Sequence, residues 1–130
     1  MTKMKHADLA SLIETLEKAW ELALHLELEE HENALYRLLR KADERALWRL
    51  AHSGGLIGAE YCDECAEVIG TITEVDCTDL TPMFVYRRPP GSECPNGSEY
   101  LRRSCGPFFR LPGSFAYAHM ATAELLRKAA

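Results

Sequence analysis

Residues 7–52 contain neither glycine nor proline and are dominated by Leu, Ala, Glu, Lys and Arg. These side chains lose little rotamer freedom in a helix, and nothing in the stretch interrupts the backbone, so it is expected to be helical. Leu9, Leu12, Ile13, Leu16, Trp20 and Leu24 recur at spacings of three and four, forming one apolar stripe. A second stripe runs through Leu35, Leu38, Leu39, Ala42, Ala46 and Leu50. At about 100° per residue its centre lies roughly 80° around the helix from the first. A phase shift of that size implies a break, and the polar run Glu29-Glu30-His31-Glu32-Asn33 is where the turn of a helical hairpin is expected. Those residues are adequate helix formers, so one uninterrupted long helix is the alternative.

Gly54-Gly55 supplies a helix stop, because glycine takes the left-handed conformation common at helix C-termini. Beyond it, Glu67 to Asp76 is rich in β-branched residues and Met83 to Tyr86 is a second strand-like run, so the two read as a hairpin turning through Cys77 to Pro82. Pro89-Pro90-Gly91 and Pro95-Asn96-Gly97 open an irregular loop. Phe108 to Leu111 reads as a short third strand, and Ser114 as the cap of a last helix carrying Ala116, Met120, Ala123 and Leu126. The chain thus reads as one α+β domain over 1–130. It comprises a helical part (6–53), a small zinc-ribbon-like antiparallel β part bearing the cysteines (58–112) and a short C-terminal helix (114–129).

The N-terminal residues form neither a signal-peptide core nor a bilayer-spanning segment, so a reducing cytoplasm is the expected location. There, five cysteines point to metal ligands, catalysis or plain thiols sooner than to disulfides. Cys62-Asp63-Glu64-Cys65 can wrap a tight turn around one tetrahedral Zn²⁺. The order of a Cys-x-x-Cys turn, a β-hairpin, a second cysteine pair and another strand resembles a zinc ribbon. Cys62, Cys65, Cys94 and Cys105 are therefore the expected ligands, with Cys77 as the main substitute and His119 as another. Four protein ligands leave no open position, which makes the metal structural. The plainer reading is small packed thiols, and a thioredoxin-like use lacks the βαβ context it needs.

Tyr61-Cys62-Asp63-Glu64-Cys65-Ala66-Glu67-Val68-Ile69 resembles the first zinc knuckle of the DksA/TraR regulators. That family carries helices ahead of a zinc finger and acts by inserting helices into RNA polymerase. The resemblance implies a regulator of a nucleic-acid machine, and it differs at Ala66, where the family favours glycine, and in lacking a second Cys-x-x-Cys.

The formal charge of −5 disfavours broad capture of nucleic acid, which needs clustered Lys and Arg. Acidic residues concentrate between Glu14 and Glu32, and Glu27, Glu29, Glu30 and Glu32 offer an acidic face to a basic partner. No glycine-rich phosphate loop, His-Glu-x-x-His or Gly-x-Ser-x-Gly turn occurs, and the five histidines are scattered. The expected function is therefore non-enzymatic: a zinc-stabilised adaptor or regulator of a protein partner, including a small phage-type inhibitor that mimics phosphate. A three-cysteine metalloenzyme is a lesser alternative. Arg87, Arg88, Arg102 and Arg103, near Tyr86, Tyr100, Phe108 and Phe109, offer either a protein contact or an alternative function in gripping single-stranded nucleic acid. No membrane contact is expected, and a homodimer is compatible with the amphipathic helices.

Overall fold

A computed structural model describes residues 5–78, 82–88, 98–102 and 108–129, with the backbone alone for 98–102. Helices α1 (His6–His25) and α2 (Glu29–Ser53) pack as a hairpin, so the single long helix does not form. The turn falls at Leu26-Glu27-Leu28, ahead of the polar run in which it was expected. Glu27 adopts φ 55°, its N–H donates to the Leu24 carbonyl (3.2 Å), and the Leu28 N–H reaches back to the Ala23 carbonyl (3.0 Å). This pair of bonds around one left-handed residue is a standard way to close a helix C-terminus. Glu29, Glu30 and Glu32 then occupy the first turn of α2, where carboxylates face the unpaired amides of a helix start. The run is polar because it opens a helix. Gly54 ends α2 as expected, at φ 79° with its N–H on the Leu50 carbonyl.

Five strands follow: β1 (Glu60–Cys62), β2 (Val68–Asp76), β3 (Met83–Arg87), β4 (Ser98–Arg102) and β5 (Phe108–Arg110). They form one antiparallel sheet in the order β4-β3-β2-β1-β5. Four strands run as a meander and the fifth returns beside the first, a Greek-key connection. The β2–β3 hairpin and β5 lie where the sequence indicates. β1 is too short to give a periodic signal, and β4 begins immediately after the Pro95-Asn96-Gly97 breaker. A register irregularity between Ile72 and Glu74 against β3 allows Ile72 and Val75 both to pack against the core, and a second lies between Tyr61 and Cys62 against β2.

Helix α3 (Ala118–Ala129) packs on α1, α2 and β5. It begins later than expected, because the Ser114 hydroxyl accepts the Ala116 N–H (3.0 Å) and donates to Glu124 (2.8 Å), pinning a loop instead of capping a helix. The main core joins Leu9 and Ile13 of α1, Leu39 and Leu50 of α2, Ile72 and Phe84 of the sheet, and Leu125 and Leu126 of α3. A smaller cluster of Cys62, Phe108 and Ala121 fills the other face of β1 and β5. Among the described residues no helix is long and apolar enough to cross a membrane.

Candidate functional site

Cys62 and Cys65 bracket the turn that joins β1 to β2. The Asp63 carboxylate accepts the N–H groups of Cys65 and Glu67 (2.9 Å each), and the Asp63 N–H donates to the Glu67 carbonyl (3.0 Å). Ala66 takes φ 64°, a left-handed conformation in which glycine is favoured. Over the turn, the Tyr117 hydroxyl donates to the Glu64 carbonyl while its ring stands edge-on to Phe108. The two thiols are unequal: Cys62 is fully buried and Cys65 exposed. Burial pushes the Cys62 thiol up, against the opposing pull of Arg110, so without a cation it is a neutral thiol and a poor nucleophile. Cys77 follows the opposite end of β2 and packs against the main core. His119 is engaged by Asp43 of α2. Cys94 and Cys105 lie outside the described residues, and among the described residues no three His, Cys, Asp or Glu groups converge as a metal site.

The hairpin tip is the second candidate. Ala23 is the one buried residue in the last two turns of α1, and α2 buries none before Leu39. Around the turn, Leu22 is 61% and Leu26 66% exposed, and Leu24, Leu28 and Tyr36 are also exposed. Glu27, Glu29 and Glu30 are exposed beside them, with Glu32 half-buried. Leu24 reads as part of the first apolar stripe and Leu22, Leu26 and Leu28 were missed, although the four together carried a signal. Leu22, Leu24, Leu26 and Leu28 recur at every second position, a spacing that no single helix face can bury.

The basic–aromatic face is not assembled by the described residues. Tyr86, Phe108 and Phe109 are buried in the two clusters, so they present no surface for base stacking. Arg87 pairs with Ser98 at one end of β3, and Arg102 pairs with Met83 at the other. Arg88 follows β3, while Arg103 and the side chains of Tyr100 and Arg102 lie outside the described residues.

A polar cluster sits where the three helices meet. His119 Nδ1 of α3 stands 3.6 Å from Asp43 Oδ1 of α2, with the two side chains 19% and 18% exposed. Glu17 of α1 and Arg40 of α2 also act on His119, and Glu21 acts on Glu17. Burial pulls the His119 imidazole down, but Asp43 and Glu17 outweigh it and raise the group above its ordinary value, with Arg40 opposing. Burial raises the Glu17 carboxyl too, helped by Glu21 and Asp43 and opposed by His119. A raised folded-state value means stability is fully present below the unfolded value of the group and lost as pH rises through the folded one. Thermal stability is therefore expected to decline as pH rises above about 6.5, the ordinary histidine value. His119→Gln should flatten that decline. Parallel melting-temperature profiles for the two proteins would show that His119 does not link the helices.

Compared with models of protein families, with curated proteins and with solved structures, the chain matches none of them.

Proposed function

We propose that this chain is a non-enzymatic adaptor or regulator that docks on a protein partner through the tip of its helical hairpin. The observation that carries the reading is the exposure of Leu26 and Leu28 on either side of Glu27, the left-handed residue of the turn, and of Leu22 one helical turn before it. Isolated exposed leucines are ordinary, but a contiguous group at the end of a projecting element is the usual mark of an interaction site. Glu27 adds an independent reason. A non-glycine residue in this conformation costs on the order of 1 kcal/mol, and such strain tends to persist where a side chain is needed for function. With Glu29, Glu30 and Glu32 beside it, the tip suits an apolar groove rimmed by Lys and Arg. A groove of that chemistry is what a nucleic-acid machine presents to its template, so a regulator or phosphate-mimicking inhibitor of such a machine fits best.

A photo-cross-linker placed at Leu26, in the cells that make the protein, should give one dominant protein adduct. The same probe at Thr71, on the exposed face of β2, should not. Leu22→Glu should abolish the adduct. Glu27→Gly should weaken it while raising stability by about 0.5–1 kcal/mol, because glycine relieves the left-handed backbone. An adduct absent at Leu26, or indifferent to Leu22→Glu, would reject the tip as the docking site.

We further propose that Zn²⁺ held by Cys62, Cys65, Cys94 and Cys105 staples the sheet. The β1–β2 turn bearing Cys62 and Cys65 lies at the end of the sheet toward which β3 leaves and β4 returns through the pair Arg87–Ser98. Cys94 falls between those two residues in sequence, and Cys105 shortly precedes Phe108, the Cα partner of Cys62. Cys77 follows β2 at the other end, which counts against it as a ligand. A closed four-sulfur site supplies folding energy and no substrate position.

A further inference from the structure

We propose that the chain forms a two-fold dimer in which Phe115 of each copy inserts into a cleft at the base of the other copy's helical hairpin. Phe115 is 99% exposed and lies in a loop that is firmly held. The Ser114 N–H donates to the Leu111 carbonyl (3.0 Å), Ser114 is bonded to Glu124, and Tyr117 is bonded to Glu64. A large aromatic side chain presented rigidly, and left uncovered by the described residues, has little ordering cost to meet on binding. The cleft is formed by Ile57, Ala59, Leu111, Pro112, Leu125 and Lys128, and its volume is about 310 Å³. A cavity of about half that size accepts a benzene ring, so a phenyl group fits with room to spare.

Three observations favour a second copy over an unrelated partner. Knob and hole share one loop, since Leu111 and Pro112, which line the cleft, precede Phe115 by four and three residues, and an isologous contact requires both halves on one patch. The cleft carries one charged residue, Lys128, whose ammonium would lie near the inserted ring as a favourable cation–π contact. The acidic tip is at the far end of α2, about 37 Å away for a helix of 25 residues. That distance is several Debye lengths, so the negative charge that would keep two tips apart does not oppose association at the base. Such a dimer leaves both tips free, and this inference stands whether or not the tip docks on a partner.

Sedimentation equilibrium of the full chain over a concentration series is expected to show a reversible monomer–dimer equilibrium. Phe115→Ser, at a fully exposed position, should weaken it by at least about a hundredfold, since two ring burials are lost at once. Ile57→Glu, at a residue 57% exposed on the rim, should do the same from the other side of the contact. An equimolar mixture of the two variants should associate more strongly than either alone, because one knob and one hole remain intact across the mixed pair. A wild-type chain that stays monomeric throughout, or a dimer indifferent to Phe115→Ser, overturns the proposal, the first outcome leaving the cleft to a different ligand.

Discussion

Replacing Gly70 with alanine is expected to lower the unfolding free energy by about 2–4 kcal/mol, a large share of the roughly 5–15 kcal/mol that holds a domain together. Gly70 is buried in β2, opposite Tyr61 of β1. A Cβ there would stand 2.5 Å from the Arg87 carbonyl oxygen and 2.5 Å from Cδ2 of Tyr86. The Tyr86 ring stacks on Tyr61 with centroids 5.2 Å apart and planes inclined by 22°, and Gly70 is the residue that leaves space for this arrangement. Part of the collision is with backbone, so rotating a side chain does not relieve it. Either β3 moves away from β2, at the cost of ladder hydrogen bonds, or Tyr86 leaves its stack and opens the core around Phe84 and Phe109. Chemical denaturation measures the difference, with Thr71→Val at the exposed neighbouring position as a control expected to change stability by about 0.5 kcal/mol or less. A Gly70→Ala protein as stable as the control would mean that β2 and Tyr86 do not approach as described. Truncating Tyr86 in the Gly70→Ala background should not restore stability, because the Arg87 carbonyl remains in the way.

Gly70 also marks the limit of what the sequence makes legible. Within the run Val68 to Asp76 it reads as a weak point among β-branched residues, and nothing local says that a tyrosine from the next strand lies over it. The helical half was readable because it is locally determined: propensity, stripe spacing and Gly54 all act within a few residues. Even there the turn was displaced, since a carboxylate run has the same composition whether it breaks a helix or begins one. Strands β1 and β4 were unreadable for a different reason. Both are defined by partners distant in sequence, β1 by Phe108 to Arg110 and β4 by Met83 to Arg87. Of the candidate sites, the Cys-x-x-Cys turn was visible as a motif, but the contrast between buried Cys62 and exposed Cys65 depends on α3 and β5 covering one thiol and leaving the other. The acidic residues of the tip were visible. Of the leucines among them only Leu24 enters the apolar stripe, and the exposure of Leu22, Leu26 and Leu28 depends on what the rest of the fold leaves uncovered at that end.

That contrast between the two thiols makes Cys65→Ser the decisive substitution for the proposed zinc staple. Cys62→Ser is ambiguous, because a hydroxyl placed between Phe108 and Ala121 costs about 1–3 kcal/mol with or without a metal. Cys65 is exposed on the turn, so as a plain thiol its exchange for serine should change stability by no more than about 0.5 kcal/mol. As a zinc ligand its loss should cost more than about 4 kcal/mol, since metal affinity is folding free energy in a small site. The expected result is one zinc per chain in protein purified without added metal, and a chelator that lowers the melting temperature of the wild type to that of Cys65→Ser. Cys77→Ser, beyond the opposite end of β2, should keep its zinc. Cys77 is the more buried of the two and packs against the main core, so a larger loss at Cys65 than at Cys77 reports coordination and not the general cost of removing a sulfur. A zinc-free wild type whose melting is unmoved by chelator or by Cys65→Ser would overturn the staple. The sheet would then be held by its apolar clusters alone, with Cys62 as a packed thiol and Cys65 as a surface one.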